Sequence, residues 1–178
     1  MSIWRDMPAD RVSQDSFVAV IEIPKGCKVK YELDKETGML RMDRILHTST
    51  HYPANYGFIP LTYASDDDPL DVLVFCSEAI IPMTLVSCYP IGVIEMEDCG
   101  YSDKKIIAIP HGDPTYNNYK DIEELPSHIF SEMTHFFSVY KSLEGKETAL
   151  ESVKGAEEAR KTIQRGIDRY REKFTDQK

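Results

Sequence analysis

Apolar and polar residues alternate along much of the first part of the chain, with the two-residue period expected of β-strands. Segment 16–23 is rich in Val and Ile and ends at Pro24, which cannot donate to a strand ladder. Segment 28–33 alternates charged and apolar residues, and segment 39–46 resumes the alternation after the turn signal Thr37-Gly38. The pattern predicts a strand followed by a β-hairpin.

Further strands are expected before residue 110. Segment 52–60 carries three aromatic residues punctuated by Pro and Gly, which favours an irregular strand or a loop. More regular strands are predicted at 70–75, at 84–94 with a break near Pro90, and at 105–109.

The last third of the chain changes to a helical period. In segment 127–143 apolar residues recur every three or four positions, and Gly145 is a plausible stop. Segment 156–174 shows a second amphipathic stripe. Strands first and helices last predict an α+β domain, in its simplest form a small twisted sheet or barrel with two C-terminal helices packed outside.

Composition narrows the class of protein. A length of 178 residues suits one domain, 1–178, with a core that needs no disulfide. A net charge of −9 argues against a nucleic-acid binder, which would need a basic surface. The chain has no apolar run of membrane-span length, no signal-peptide core and four cysteines without a CxxC pair. We therefore expect a cytoplasmic protein that binds neither membranes nor nucleic acid.

Segment 66–71 concentrates negative charge, with four carboxylates in six residues. Such a group is costly to gather in a fold without a counter-ion, and hard oxygen ligands suit Mg²⁺, Mn²⁺ or Ca²⁺. An EF-hand is excluded because Asp71 stands where that loop needs Gly and Ser77 where it needs Glu. A solvated acidic turn at the start of a strand is the alternative.

A second acidic segment, 95–105, lies between two predicted strands and contains Asp98 and Asp103. Both acidic segments could project from one end of a barrel, and Glu22 at the end of the first strand could join them. Several bases are candidates to face the same place: Lys30, Arg44, Lys105 and Lys141. Carboxylates that hold divalent metals, ringed by bases, make the arrangement needed for phosphoryl transfer to water.

Each base also has a purely structural interpretation. Lys30 and Arg44 could be cross-strand partners of Glu32 or Asp43, and Lys141 could belong to the polar face of its helix.

An ordered series of short motifs runs from Glu22 to Lys141. Segment 66–72 reads Asp-Asp-Asp-Pro-Leu-Asp-Val and fits D-x-D-P-x-D. The others are Ile21-Glu22-Ile23-Pro24, Val29-Lys30-Tyr31-Glu32, Asp43-Arg44, Tyr52-Pro53-Ala54-Asn55-Tyr56-Gly57, Asp98 with Asp103 and Lys105, and Tyr140-Lys141. In these motifs the chain resembles the soluble inorganic pyrophosphatases of family I, and in length it resembles their short bacterial members.

The resemblance implies hydrolysis of pyrophosphate to two orthophosphates by a metal-activated water. It implies several Mg²⁺ ions, with Mn²⁺ or Zn²⁺ as possible substitutes, and these metal ligands: Glu22, Asp66, Asp71, Asp98 and Asp103. Asp68 would accept the proton of the attacking water, with Tyr56 close to the chemistry. The implied phosphate-binding residues are Lys30, Arg44, Tyr56, Lys105, Tyr140 and Lys141. Glu32 would hold the residues that bind the metals or the substrate, without binding either itself, and Tyr52 would line the pocket.

The resemblance also implies an OB-like five-stranded β-barrel with flanking strands, and assembly into a homohexamer. Two departures stand out. Asp67 occupies a position where Gly is frequent in the family, and its extra charge could alter metal affinity. Segment 142–146 looks shortened, so Lys146 is given no role.

Two other hypotheses stay open from the sequence. An OB-like barrel could capture single-stranded nucleic acid or a metal ion without chemistry, with Tyr52, Tyr56 and Tyr63 stacking on bases. A protein could also keep the fold for an interaction and lose catalysis, but it should then have lost charged positions that are all present here.

Overall fold

The computed structural model describes residues 2–98, 100–146 and 148–174. Its strands are β1 (Phe17–Ile23), β2 (Val29–Leu33), β3 (Leu40–Ile45), β4 (Asn55–Phe58), β5 (Asp71–Val74), β6 (Leu85–Asp98), β7 (Tyr101–Pro110) and β8 (Thr148–Gly155). Its helices are α1 (Ser127–Val139) and α2 (Ala156–Phe174). The predicted order of strands first and helices last is confirmed, except that β8 lies between the helices.

Five strands form a closed ring. The main sheet has the order β1-β4-β5-β7-β6-β8, and β1 also pairs with β6, so the ring closes through β1, β4, β5, β7 and β6. Strands β5 and β7 are parallel and the other ring pairs are antiparallel. The β2–β3 hairpin is a separate two-stranded sheet. This arrangement confirms the predicted α+β barrel with flanking strands.

Close approach of two ring strands depends on one glycine. A Cβ atom on Gly57 in β4 would lie 1.8 Å from the carbonyl oxygen of Val20 in β1. No side chain fits there, so glycine is required at this position for β1 and β4 to pair this closely.

The helices bury opposite faces of the same strands, because side chains alternate along a strand. Helix α1 contributes Met133, Phe136 and Phe137 to a cluster that includes Leu73 and Ile107. Helix α2 contributes Ala159, Ile163 and Ile167 to a cluster that includes the neighbouring residues Val72 and Ile106. Burial of these stripes, rather than helix propensity, fixes both helices on the sheet.

Three parts of the structure differ from the sequence prediction. The segment 95–105 is mostly strand, because the β6–β7 ladder continues to the pair Asp98 and Tyr101 at its tip. Strand β8 is absent from the sequence prediction, since none of its residues is buried and its partners in β6 lie at least 50 residues earlier in the chain. Helix α1 ends at Val139, four residues before the predicted end, and Gly145 ends the 3₁₀ turn that follows it with a φ of +69°.

No helix in the described part of the chain is both long and apolar enough to cross a membrane.

Candidate active site

The predicted site residues come together around one cavity of about 620 Å³. Those that line it are Glu22, Lys30, Glu32, Tyr52, Tyr56, Asp66, Asp68, Asp71, Asp98, Asp103, Lys105, Tyr140 and Lys141. Residues far apart along the chain thus converge as the acidic segments and the bases were expected to do. Arg44 is the member of the predicted set that does not line this cavity.

Lys105 is the electrostatic centre of the cavity. Its side chain is 4% exposed, and its Nζ atom lies 2.8 Å from Asp71 Oδ2, 3.0 Å from Asp103 Oδ2 and 2.9 Å from Tyr56 Oη. Strand pairing places it there, since Asp71 and Lys105 are register partners in the parallel strands β5 and β7. Burial alone lowers the pKa of Lys105, but Asp71, Tyr56 and Asp103 outweigh it and hold this pKa well above its ordinary value.

The carboxylates around Lys105 carry more negative charge than one ammonium can balance. Burial and then Asp71 raise the pKa of Asp66. Burial also raises the pKa of Asp103, against the opposing effect of Lys105. Hard, crowded carboxylate oxygens of this kind are the ligands that Mg²⁺ prefers, so the residues present fit a divalent ion. Among the described residues no three such side chains converge into a ready-formed metal site, and the Lys105 ammonium lies between Asp71 and Asp103.

Glu22 is the most strongly perturbed carboxyl in the cavity. Burial raises its pKa from the ordinary 4.5 to about 8, helped by Asp71 and opposed by a 2.7 Å hydrogen bond from the Leu33 backbone N–H. The unfolded chain therefore releases this proton near pH 4.5 and the folded chain near pH 8. Because the unfolded state binds fewer protons across this window, folding stability falls as the pH rises through it.

We expect Glu22→Gln to remove this pH dependence in metal-free protein. Ionisation of Glu22 lowers the free energy of unfolding of the parent by at most about 1.4 kcal/mol per pH unit. The free energy of unfolding of the variant should therefore increase relative to that of the parent between pH 5 and pH 8.5. Urea unfolding in chelator at those two pH values measures the difference. Parallel stability curves for parent and variant would contradict the burial of this carboxyl as described.

The bases at the rim are held by carboxylates. Lys30 Nζ lies 2.5 Å from Glu32 Oε1, and Lys141 Nζ pairs with Asp98. Arg44 faces away, with Nη1 2.5 Å from Asp43 and Nε 2.7 Å from Glu144, whose side chain is 7% exposed. Of the cross-strand pairs predicted for these two bases, the hairpin shows Lys30 with Asp43, 3.6 Å apart, while Glu32 and Asp43 bind Lys30 and Arg44 within their own strands. Arg44 would have to leave Glu144 to meet a phosphate.

Three tyrosines form the aromatic wall of the cavity. Tyr52 and Tyr56 are 3% and 8% exposed, with ring centroids 5.3 Å apart, and Phe136 lies 4.9 Å from Tyr52 and 5.1 Å from Tyr140. Burial raises the pKa of each tyrosine, so their hydroxyls stay protonated and can donate hydrogen bonds. Their burial also argues against Tyr52 and Tyr56 as an open platform for nucleic-acid bases.

Asp67 has a left-handed backbone, with a φ of +68°. This conformation costs an L-residue energy and costs glycine almost none, which gives a physical reason for the glycine expected here from the resemblance. We expect Asp67→Gly to be more stable than Asp67→Ala by about 1 kcal/mol. Both variants lose the charge and the hydrogen bond from Tyr63 Oη. The difference between their denaturant midpoints therefore measures the cost of the left-handed backbone at this position. Equal midpoints would contradict it.

Two residues outside the predicted set, Lys35 and Trp4, also line the cavity. Lys35 Nζ pairs with Asp68 and lies 4.8 Å from the centre of the Trp4 ring. No local pattern could reveal this contact, because it joins the N-terminal segment, the β2–β3 turn and the acidic segment.

The chain is similar to known proteins over most of its length. A family profile described as inorganic pyrophosphatase matches residues 19–171. The chain is 45% identical over 175 residues to soluble inorganic pyrophosphatase 2 of Chlamydomonas reinhardtii, covering 98% of this chain and 91% of the relative.

Two solved structures extend the comparison to the fold. Inorganic pyrophosphatase from Thermus thermophilus superposes with a TM-score of 0.90 at 33% identity, covering 94% of this chain and 98% of that one. That of Helicobacter pylori gives a TM-score of 0.87 at 42% identity, covering 89% and 95%. These similarities confirm the predicted OB-like fold.

Proposed function

Since this chain belongs to the inorganic pyrophosphatase family, whose members hydrolyse pyrophosphate to phosphate, we propose that its cavity performs that reaction with Mg²⁺. The observation that carries the proposal is the convergence of carboxylates and bases on one cavity around Lys105. Pyrophosphate is a small anion of high charge. The bases can bind its oxygens directly, and the carboxylates can bind them through divalent cations.

The basic residues and the tyrosines of the cavity would bind the substrate. Lys30, Lys141 and the hydroxyl of Tyr140 face the cavity and would bind the phosphate oxygens, with Arg44 joining them after leaving Glu144. Lys105, fixed by two carboxylates, would neutralise charge near the reacting phosphorus. The Tyr56 hydroxyl accepts from Lys105 and donates to Asp71, so it would have to leave Asp71 to donate a hydrogen bond to the substrate. Such pre-placed donors stabilise the charge that develops on the oxygens of the transition state.

Asp68 is the proposed proton acceptor. Its side chain is 54% exposed at the mouth of the cavity, where a water molecule can reach it. The water oxygen bonds to one phosphorus as its proton passes to Asp68, and the bond from that phosphorus to the bridging oxygen breaks. The departing orthophosphate takes the electron pair, and Asp68 later returns its proton to solvent.

The proposed metal ligands are Asp66, Asp71 and Asp103, with Glu22 and Asp98 serving ions that enter with the substrate. When bound, Mg²⁺ would neutralise negative charge on the phosphates and lower the pKa of water, with Mn²⁺ or Zn²⁺ as substitutes. Glu32, 2.5 Å from Lys30, would orient that base, and Tyr52 would pack behind Tyr56.

The proposal also includes the domain organisation, the location and the assembly of the protein. The family match over 19–171 supports one pyrophosphatase domain over 1–178. We also propose cytoplasmic location, no nucleic-acid or membrane partner, and assembly into a homohexamer.

A phosphate-release assay tests the function. With Mg²⁺ present, orthophosphate should appear from pyrophosphate at least tenfold faster than from tripolyphosphate or ATP, and chelator should abolish it. Mn²⁺ and Zn²⁺ in place of Mg²⁺ then test the metal. Absence of phosphate release with every metal would instead favour a protein that kept the fold and lost catalysis.

A further inference from the structure

We propose that Lys35 is a positioning residue that orients the Asp68 carboxylate for proton acceptance, an inference that rests on the role proposed above for Asp68. Lys35 lies in the turn between β2 and β3, outside every motif that carries the resemblance. Its ammonium binds Asp68 across the mouth of the cavity.

The turn that carries Lys35 is held from within. Asp34 closes it through two backbone hydrogen bonds of 2.8 Å, one with Met39 and one with Gly38, which has a φ of +74°. The Asp34 carboxylate also accepts hydrogen bonds from the backbone N–H groups of Glu36 and Thr37. Such a turn gives Lys35 a fixed starting point although it lies at the surface.

An aromatic platform holds the ammonium end. Lys35 Nζ lies 4.8 Å from the centre of the Trp4 ring, within the range of a cation–π contact. Trp4 is 2% exposed, and its Nε1–H donates to the carbonyl of Thr62 at 3.0 Å. Phe174 at the end of α2 packs edge-on against it, with ring centroids 5.6 Å apart. The ammonium is therefore located by a buried ring that is tied to the chain just before the acidic segment.

The contact with Asp68 is selective for one of its two oxygens. Lys35 binds Oδ1, while no hydrogen bond to Oδ2 arises from the described residues. The backbone of Asp68 is fixed as well, with its N–H 3.3 Å from Asp66 Oδ1 and its carbonyl accepting from Ala64 at 2.7 Å. With Oδ1 held by Lys35, Oδ2 is the oxygen left to accept a proton from water at the mouth of the cavity.

The alternative to a positioning role is that Lys35 and Asp68 form an ordinary surface ion pair that does not affect the reaction. Lys35 and Asp68 are 43% and 54% exposed, and pairs so exposed contribute only about 0–1 kcal/mol to stability. This weakness makes a clean test possible, because Lys35→Met should fold normally.

Steady-state kinetics of Lys35→Met tests the inference. We expect kcat for pyrophosphate to fall about tenfold with KM changed less than about twofold, since a misplaced group slows the step without weakening binding. Lys35→Arg should recover most of the loss. Lys28→Met is the matched control, because Lys28 lies at the start of the same hairpin and forms no ion pair within the described ranges. It should change neither parameter.

A double-mutant cycle separates positioning from a general effect. In an Asp68→Asn background, Lys35→Met should cause no further loss of kcat, because the residue through which Lys35 acts is already disabled. Trp4 is the single tryptophan of the sequence, so its emission should also change in Lys35→Met and not in Lys28→Met.

Three results would overturn the inference: an unchanged kcat in Lys35→Met, a loss confined to KM, or an equal loss of kcat in both Asp68 backgrounds. These failures differ from failure of the proposed function. If the parent releases phosphate and Asp68→Asn is impaired while Lys35→Met is not, only the positioning role is wrong. If the parent releases none, the proposed function itself fails.

Discussion

Replacing Asp68 with asparagine is expected to lower kcat for pyrophosphate about 10³-fold at saturating Mg²⁺, within the range attributed to a general base. The amide has the size of the carboxylate but cannot accept the proton of water at neutral pH. Asp68 is half exposed and its backbone contacts do not involve the carboxylate, so the fold should be unchanged. Phosphate release under steady state measures the loss, with unfolding curves as the check on folding.

Asp67→Asn is the matched control for this experiment. It removes the same charge from the adjacent position, but Asp67 lies outside the cavity lining and its carboxylate bonds to Tyr63. We expect kcat to change less than about threefold, since the charge that is lost is exposed to solvent and lies outside the cavity lining. Comparable losses in the two variants would show that charge in the segment, rather than proton acceptance by Asp68, is what matters.

Replacing Lys105 with methionine is expected to destabilise the metal-free protein by about 2–3 kcal/mol. This is less than the roughly 3–5 kcal/mol of a fully buried pair, because the carboxylates left without a partner, Asp71 and Asp103, are 32% and 17% exposed. Methionine has a similar length and suits an apolar site, so the change acts mainly through Asp71 and Asp103, which face each other without a cation. Denaturant unfolding in chelator measures the free energy. The same measurement with Mg²⁺ should show a smaller loss, because a divalent ion can replace the missing charge.

Lys104→Met is the control for Lys105. Lys104 is the preceding residue and lies 2.5 Å from Glu95, but Glu95 keeps Lys154 at 2.6 Å and Ser152 at 2.8 Å. Although burial raises the pKa of Glu95, bonds to Lys104, Lys154 and Ser152 lower it to about 2, so two of three stabilising partners remain. We expect a loss of about 1 kcal/mol or less, unaffected by Mg²⁺. A Mg²⁺-independent loss of equal size in both variants would contradict the central position of Lys105.

Much of the fold was predictable because it depends on local patterns. The alternation around Thr37-Gly38 predicted the hairpin whose register pairs Lys30 with Arg44. The apolar stripes predicted both helices, and the tertiary contacts of Phe136 and Ile163 explain why those stripes are buried. Strand β8 could not be predicted because it lies at the edge of the sheet and buries none of its residues, so burial imposes no apolar pattern on its sequence.

The site was predictable to a different extent. The charge density of segment 66–71 pointed to a cation, and the motif order assigned the partners that the cavity brings together. The burial of Lys105 between two carboxylates could not be read from the sequence, since it follows from the parallel register of β5 and β7. The outward position of Arg44 also depends on a distant partner, Glu144. The roles of Lys105 and Arg44 in the reaction are predictions, and Lys105→Met tests the electrostatic position of Lys105.

The most direct test of the account is a crystal structure with Mn²⁺ and imidodiphosphate, a pyrophosphate analogue that resists hydrolysis, with data collected at the manganese absorption edge. The account predicts anomalous peaks between the carboxylates of Asp66, Asp71 and Asp103 and the oxygens of the analogue, with Lys105 displaced from at least one carboxylate. An analogue bound with no anomalous peak, while Lys105 keeps both carboxylates, would contradict it.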